Sequence, residues 1–211
     1  MKIIFDHLHG HVIDNRVYCE VFCLPDIETP DELLEMGWLP YPSFKIPYWY
    51  QSQSCRININ NILLSYKRKK VISELSYQTF NYTEHKIKVD HFFINYFREK
   101  NFNLIDSYNE NSQNPNIETM EISYDNKIVG YVRFQCFKNN ILGFETAYLL
   151  TLPKLSLGKT AILLLCQEAI KRKKKCVYIY ESYKDYFPYK LEISGAQYWE
   201  GEKWISNNTY K

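Results

Sequence analysis

The sequence lacks the kind of hydrophobic segment that crosses or targets a membrane. No apolar run is long enough to span a bilayer, and the opening stretch MKIIFDHLHGHVID has no signal-peptide core. It also has no internal repeat and no low-complexity tail. From these absences we expect a cytoplasmic protein without a membrane partner.

Cysteine and histidine patterns give little support for disulfides or a metal site. Cys19 and Cys23 are the one close pair among six cysteines, so we expect thiols in a cytoplasmic protein. His7, His9 and His11 alternate and would share one face of a strand, which makes a metal site geometrically possible. No acidic or cysteine ligand lies at a convincing spacing from them, and we predict that no metal is bound.

The composition is typical of a folded domain and does not indicate a particular binding partner. The chain has 211 residues, 45% hydrophobic and 24% charged, which suits one large domain or two small ones. The net charge of +2 is too small to imply nucleic-acid binding by itself. Because the chain has 19 tyrosines, no single tyrosine stands out as functional from its presence alone.

Residues 1–110 are predicted to form a smaller, largely helical and aromatic N-terminal portion. Thr29 is suited to cap a short helix that stops at Gly37, since Pro30 fits the first helical turn. A second helix is predicted from Ser52 or Ser54 onward, because apolar residues recur there at helical spacing.

Three further segments complete this half of the chain. Residues 71–83 alternate like a strand, and residues 84–100 have helical periodicity. The polar run at 101–116 is the most plausible internal boundary. We therefore predict that the N-terminal portion packs on a C-terminal domain of residues 117–211.

The second half of the chain alternates as three strands joined by tight turns. Asp125-Asn126 and residues 138–140 are turn signals, so residues 118–150 are predicted to form an antiparallel meander. A polar loop, a long helix, the strand CVYIYES and a hairpin around Gly201 follow. This order resembles that of a GCN5-related N-acyltransferase domain. We predict a mixed α/β (α+β) fold, with a mixed sheet flanked by helices.

Several stretches are similar to a narrower group, the arginyl-tRNA–protein transferase family. ELLEMGWLP and the following IPYWYQSQSCRININN resemble its short helix ending in Gly-aromatic and its Ser/Arg-rich helix start, with Gln51–Arg56 in the matching place. LSLGKTAILLLCQEAIK resembles its Ser-Leu-Gly loop and helix, and PYKLEISGAQYWEGEKW its closing Tyr-Lys and Trp region. The resemblance covers roughly residues 29–70 and 120–204.

The resemblance implies transfer of an amino acid, arginine in that family, from a charged tRNA to the N-terminal amine of a protein or peptide. Two family features are absent: the N-terminal Cys cluster, and the Asp-Pro before the loop, which here is Leu152-Pro153. The alternatives are a coenzyme A-dependent N-acetyltransferase and a degenerate member that binds RNA or peptide without catalysis. No permanently bound cofactor is expected, since the donor would be aminoacyl-tRNA or acyl-coenzyme A.

The loop before the long helix is the candidate donor site. Free backbone N–H groups at a helix start can bind the pyrophosphate of coenzyme A or the terminal phosphates of tRNA. The residues in question are Ser156, Leu157, Gly158, Lys159 and Thr160. An ordinary crossover, with Ser156 or Thr160 capping the helix, is the alternative. A P-loop is excluded because Pro153 occupies the position of its first glycine.

Acyl transfer to an amine needs a group that takes or orients the amine proton and a group that protonates the leaving group. Glu145 is the candidate base or amine-orienting carboxylate, with a sheet-surface position as the alternative. Tyr180 is the candidate acid, and Tyr178 and Tyr183 are neighbours that could take the same role. Packing is the alternative for each tyrosine.

Two basic clusters each close a predicted helix, Lys67–Lys70 and Lys171–Lys175. A favourable interaction with the helix dipole explains both. The functional alternative is contact with tRNA phosphates, which would be independent of sequence and steeply dependent on salt.

Overall fold

The computed structural model describes residues 1–13, 16–41, 48–101, 115–182 and 188–207, and gives the backbone alone for residues 4–13 and 16–20. The chain forms two sheets. The smaller is antiparallel with strand order β1-β2-β4-β3, and its strands are β1 (Lys2–Ile13), β2 (Arg16–Leu24), β3 (Trp38–Pro40) and β4 (Trp49–Gln51).

The larger sheet has eight strands and draws on both halves of the chain. In chain order they are β5 (Ser54–Asn58), β6 (Leu75–Asn81), β7 (Ile117–Tyr124), β8 (Lys127–Cys136), β9 (Asn140–Tyr148), β10 (Cys176–Glu181), β11 (Ala196–Trp199) and β12 (Trp204–Ser206). The spatial order is β12-β11-β5-β10-β9-β8-β7-β6. β9 and β10 are parallel, whereas the other neighbours are antiparallel. A parallel pair needs a crossover connection, which residues 149–175 supply.

The helices of the described ranges are α1 (Pro30–Glu35), α2 (Tyr66–Ser73), α3 (Lys86–Glu99) and α4 (Leu157–Lys171). Thr29 caps α1 as predicted, and it forms a capping box in which the Thr29 and Glu32 side chains each accept from the other's backbone N–H. None of these helices has both the length and the apolar character that crossing a membrane requires.

The two faces of the large sheet are covered by different elements. α2 and α4 pack on one face through Ile72 and a buried stretch of α4 that includes Leu164. On the other face α3 packs around Tyr131, and the small sheet packs around Tyr178. Phe144 contacts both of the latter groups, so the border between α3 and the small sheet runs over the middle of β9.

The predicted mixed α/β class, with a mixed sheet and flanking helices, is confirmed. β7, β8 and β9 form the predicted meander, and the first turn is made by Asp125 (φ 48°) and Asn126 (φ 59°). Asp and Asn tolerate this left-handed backbone better than most residues. α4, β10 and the hairpin of β11 and β12 follow in the predicted order. The cysteines with described side chains are free thiols, and they are Cys23, Cys55, Cys136, Cys166 and Cys176.

The helix predicted from Ser52 or Ser54 onward is wrong in its first part. Ser54–Asn58 form β5, and α2 begins only at Tyr66. Cys55 and Ile57 are fully buried in the core that α2 and α4 form on one face of the sheet, and β5 pairs with β10 and β11 on its two sides. The sheet position therefore overrides the helical spacing of the apolar residues.

The N-terminal portion, residues 1–110, is also richer in strand than predicted. It supplies the whole small sheet, and its β5 and β6 pair with strands of residues 117–211 inside the large sheet. The boundary predicted between 110 and 117 falls largely on residues 102–114, which lie outside the described residues. The division into two domains stays a prediction.

We expect Gly37→Ala to lower the free energy of unfolding by about 2–4 kcal/mol. Gly37 follows α1 with a φ of 79°, and an added Cβ would lie 2.3 Å from the Trp199 ring. Alanine would therefore combine a strained backbone with steric overlap. Urea unfolding followed by tryptophan fluorescence measures the change.

Gly201→Ala is the matched control. Gly201 has a φ of 101°, but no atom lies within 4 Å of its added Cβ, so we expect a loss of about 1 kcal/mol from backbone strain alone. Equal losses in the two variants would contradict the role given to the Trp199 contact.

Candidate functional site

The large sheet opens between its two parallel strands. β9 and β10 pair over three positions, from Asn140 and Cys176 to Leu142 and Tyr178, and then separate. β9 continues to Tyr148, where it still pairs with β8. The result is a cleft with β9 on one side and the end of β10 on the other.

An extra residue in each strand accompanies this separation. In β9, Phe144 has no partner in β8, because its neighbours Gly143 and Glu145 pair with the consecutive residues Phe134 and Arg133. In β10, the ladder with β5 also shifts register before Glu181, and Tyr180 adopts a left-handed φ of 58°. The rings of Phe144 and Tyr180 lie 6.2 Å apart across the cleft. Bulges of this kind bend a strand and redirect its side chains.

The predicted donor loop lies at the outer end of this cleft. Pro153–Leu155 form a 3-10 turn, and Ser156 has a left-handed backbone with φ 45° and ψ 51°. The first bond of α4 runs from Thr160 N to Ser156 O at 3.0 Å. The N–H groups of Leu157, Gly158 and Lys159 therefore have no acceptor within the helix.

The side chains of the loop divide into two kinds. Ser156 is exposed and makes no capping hydrogen bond with its side chain. Thr160 is buried, and its hydroxyl donates to Leu155 O at 2.6 Å, so this hydroxyl stabilises the turn and is turned away from a ligand. Gly158 packs against Tyr148, whose ring would be 3.3 Å from an added Cβ. Its lack of a side chain allows the helix start to approach β9.

A cavity of about 360 Å³ lies in front of the helix start. Four of the five predicted donor residues, Ser156 to Lys159, line it, and Thr160 does not. The other lining residues come from the end of β9 and its loop, from Tyr189, and from two cationic side chains, Arg68 and Lys100. The volume is within the range of small-molecule sites.

The charges around the cavity have one sign. Arg68 of α2, Lys100 after α3 and Lys159 of α4 line it, and no acidic side chain is among the described residues that do so. Lys159 also forms an ion pair with Glu192. Cations next to free N–H groups at a helix start favour an anionic ligand, so the cavity suits a phosphate-bearing group.

Glu145 lies on the α3 face of β9 and is paired with Arg133 of β8. Arg133 is fully buried, with its guanidinium carbon 5.0 Å from the centre of the Phe93 ring and 5.4 Å from that of Tyr82. The Glu145 side chain is 24% exposed, so its carboxylate pairs with a buried cation and is still accessible to solvent. It is roughly 10 Å along β9 from Tyr148 and the cavity.

Tyr180 lies opposite Glu145 on the other side of the cleft. Burial raises the pKa of Tyr180 well above its usual value, and the carboxylates of Glu181 and Glu145 raise it further, while Arg133 opposes them. The phenol is therefore protonated at neutral pH and can donate a hydrogen bond. Glu181 accepts a hydrogen bond from Tyr50 of the small sheet, which places that sheet beside the cleft.

The other two tyrosines considered for this role have different positions. Tyr178 is fully buried, and its hydroxyl accepts from Arg56 at 3.2 Å. It is a packing residue on the small-sheet side. Tyr183 lies outside the described residues.

Sequence reasoning did not single out Arg133, Tyr189 or Arg68 individually. Arg133 has one usable signal, because it is a charged residue inside the otherwise apolar strand pattern of β8. Tyr189 and Arg68 have no comparable signal, since only the fold brings a 3-10 turn and the start of α2 to the same cavity.

The two basic clusters lie at opposite ends of α4. The prediction that Lys67–Lys70 closes a helix is wrong, because α2 begins at Tyr66 and has these cations in its first turns, where the helix dipole disfavours them. Arg68 of this cluster reaches the cavity at the start of α4, whereas Lys171–Lys175 follows the end of α4, roughly 20 Å away. In the second cluster, Arg172 bonds Glu118 and Glu168, and Lys174 donates to the carbonyls of Phe137 and Lys138. These contacts stabilise the fold.

The side chains of His7, His9 and His11 lie outside the described ones, so the absence of a metal there stays a prediction. Elsewhere, the described side chains form no group of three or more potential metal ligands.

We expect Glu145→Gln to lower the free energy of unfolding by about 2–3 kcal/mol, because it removes the carboxylate from a buried guanidinium. Glu192→Gln is the control, since it removes a carboxylate from the more exposed Lys159 and should change stability by about 0–1 kcal/mol. Chemical denaturation of both variants tests this. If Glu145→Gln is as harmless as the control, Arg133 does not depend on Glu145.

Comparison with known proteins finds no matching family model and no matching curated protein. Among solved structures, the C-terminal domain of a protein described as a lysylphosphatidylglycerol synthetase from Agrobacterium fabrum has a TM-score of 0.49 and 9% identity, over 72% of this chain and 51% of that chain. An aminoglycoside acetyltransferase from an uncultured soil metagenomic sample has a TM-score of 0.39 and 18% identity, over 54% and 81%. A ribosomal-protein-alanine N-acetyltransferase from Brucella melitensis biovar Abortus 2308 has 0.41 and 14%, over 56% and 86%. This chain spans about half the length of the first of these proteins.

Proposed function

We propose that this protein is an N-acyltransferase that moves an aminoacyl group from a charged tRNA to the N-terminal amine of a peptide or protein. The observation that carries the proposal is the cleft between β9 and β10, which has a cationic cavity at one end and Glu145 opposite Tyr180 further in. Arginine as the transferred amino acid rests on the family resemblance. The proposal implies a cytoplasmic location, where charged tRNA is found.

The cavity would hold the donor by its phosphates. The free N–H groups of Leu157, Gly158 and Lys159 and the cations of Arg68 and Lys100 would surround them. Since β9 leads from this cavity to Glu145, a donor anchored here can extend its acyl group along the strand. Anchoring by remote groups orients the reacting carbonyl.

The chemistry requires one bond to form and one to break. The acceptor amine attacks the ester carbonyl carbon, the new C–N bond forms, and the C–O bond to the tRNA ribose breaks. Glu145 accepts the proton that the amine loses, and Tyr180 donates its proton to the departing ribose oxygen. Afterwards Glu145 releases its proton to solvent and Tyr180 takes one up, so both groups return to their starting states.

The surface around α2 favours tRNA over a smaller donor. Lys67, Lys69 and Lys70 are exposed, and within the described residues none of them forms an ion pair. They flank Arg68, so positive charge extends from the cavity onto the outer surface of α2. A polyanion longer than coenzyme A would use this surface. Arg172 and Lys174 of the other cluster are already engaged within the fold.

We expect the protein to transfer labelled amino acid from charged tRNA to a peptide with a free N-terminus, and Tyr180→Phe to lower kcat by about 100-fold. The variant lacks the proton donor but keeps the ring. Tyr198→Phe on β11 removes a phenol away from the cleft and should keep the activity of the unmodified protein.

Three results would contradict this proposal. They are no transfer from any charged tRNA, equal transfer to a peptide with an acetylated N-terminus, and full activity of Tyr180→Phe. Transfer should weaken as salt rises, since phosphate contacts are screened.

We expect Arg68→Ala to raise the KM for the charged tRNA by roughly 10-fold with kcat unchanged, because it removes a charge-assisted contact that ground state and transition state share. Lys203→Ala is the control, as an exposed cation in the turn between β11 and β12, at the edge of the large sheet opposite β6. Steady-state kinetics over a range of tRNA concentrations give both constants. An equal rise of KM in the control would contradict the assignment of Arg68 to the donor site.

A coenzyme A-dependent N-acetyltransferase is the second candidate, because the same cavity suits a pyrophosphate. It predicts thermal stabilisation by millimolar acetyl-coenzyme A and acetyl transfer to an amine. A non-catalytic member that binds RNA or peptide predicts binding without transfer from either donor.

A further inference from the structure

Lys190 makes two hydrogen bonds that the proposed reaction does not use. It ends the 3-10 turn Pro188–Lys190, and its ammonium donates to the carbonyl oxygens of Ile179 and Glu181, each at 2.7 Å. Burial lowers the pKa of Lys190, while the Glu181 carboxylate favours its charged form. Burying a cation is unfavourable unless acceptors replace water, and these two carbonyls are such acceptors.

The two carbonyls belong to the residues on either side of Tyr180. Tyr180 has a φ of 58°, which is strained for an aromatic residue. The ladder between β10 and β5 is also irregular at this point. A strained residue persists only where its surroundings hold it, and the contacts of Lys190 lie immediately before and after it.

The residue before Lys190 reaches the other end of the cleft. Tyr189 lines the donor cavity, and burial raises the pKa of Tyr189 to about 12, with Tyr148 close by. Two consecutive residues of one short turn therefore contact the donor cavity and the backbone around Tyr180.

We propose that Lys190 is a positioning residue that holds Tyr180 in the cleft, and that the Tyr189–Lys190 turn connects the donor cavity to Tyr180. The effect on catalysis rests on the proposed function, whereas the hold on Tyr180 does not. Lys190 acts through the backbone of β10 and touches no reacting atom.

The test compares Lys190→Met with Lys190→Arg and a matched control, Lys174→Met. Lys174 also donates to two carbonyls, those of Phe137 at 2.5 Å and Lys138 at 3.0 Å, but at the turn before β9. Hydrogen–deuterium exchange of the full chain is read at the amides of Tyr180 and Glu181. We expect roughly 10-fold faster exchange there in Lys190→Met and little change in the other two variants.

Kinetics supply the second readout. In Lys190→Met we expect kcat to fall by roughly 10- to 100-fold with an almost unchanged KM for the donor, and Lys190→Arg to recover most of it. A merely structural role would lower the stability of Lys190→Met and Lys174→Met alike and leave kcat unchanged in both. If Lys190→Met does not fold, Lys190→Gln replaces it, since it keeps a hydrogen-bond donor without the charge.

Two results would overturn the proposal. Unchanged exchange at Tyr180 and Glu181 in Lys190→Met shows that Lys190 does not hold this segment. If these amides exchange faster in Lys190→Met but kcat is unchanged, Lys190 holds the segment without affecting catalysis. If the unmodified protein transfers from no donor, the proposed function fails, and the exchange data still decide whether Lys190 holds Tyr180.

Discussion

The end of backbone pairing between β9 and β10 is the constraint on which the rest of the site depends. Three residue pairs hold the parallel strands together, and beyond them the backbone groups that face the gap need other partners. Lys190 donates hydrogen bonds to two carbonyls of β10, and the rings of Phe144 and Tyr180, at the two bulges, lie 6.2 Å apart. In the cleft, side-chain contacts therefore take the place of the backbone hydrogen bonds that join neighbouring strands elsewhere in the sheet.

Charge is distributed along this cleft in a way that separates two tasks. The outer end has cations and free N–H groups near Gly158, which suits an anion that has to be anchored. The inner part has Glu145, which pairs with Arg133, and Tyr180, whose pKa burial raises well above its usual value. The small sheet and α3 meet over Phe144, so the inner part lies at the border of two packed elements.

Local chemistry explains which parts of the fold were predictable. Thr29 and Glu32 form a capping box whose residues are neighbours in the chain, and Asp125-Asn126 make a turn from their own backbone preferences. β5 was not predictable in this way. Its backbone pairs with β10 and β11, which are more than a hundred residues away in the chain, so helical spacing alone pointed to the wrong element.

The sequence by itself determined the order of strands and helices in the second half and the place of the Ser156–Gly158 loop at a helix start, because these follow from periodicity and turn residues. It also identified Glu145 and Tyr180 as candidates by their strand positions. Only the tertiary structure decided that they face each other across an opening, that Arg133 is buried against Glu145, and that Tyr189 and Arg68 share one cavity. These contacts join residues far apart in the chain, and side-chain burial across a sheet has no local signature.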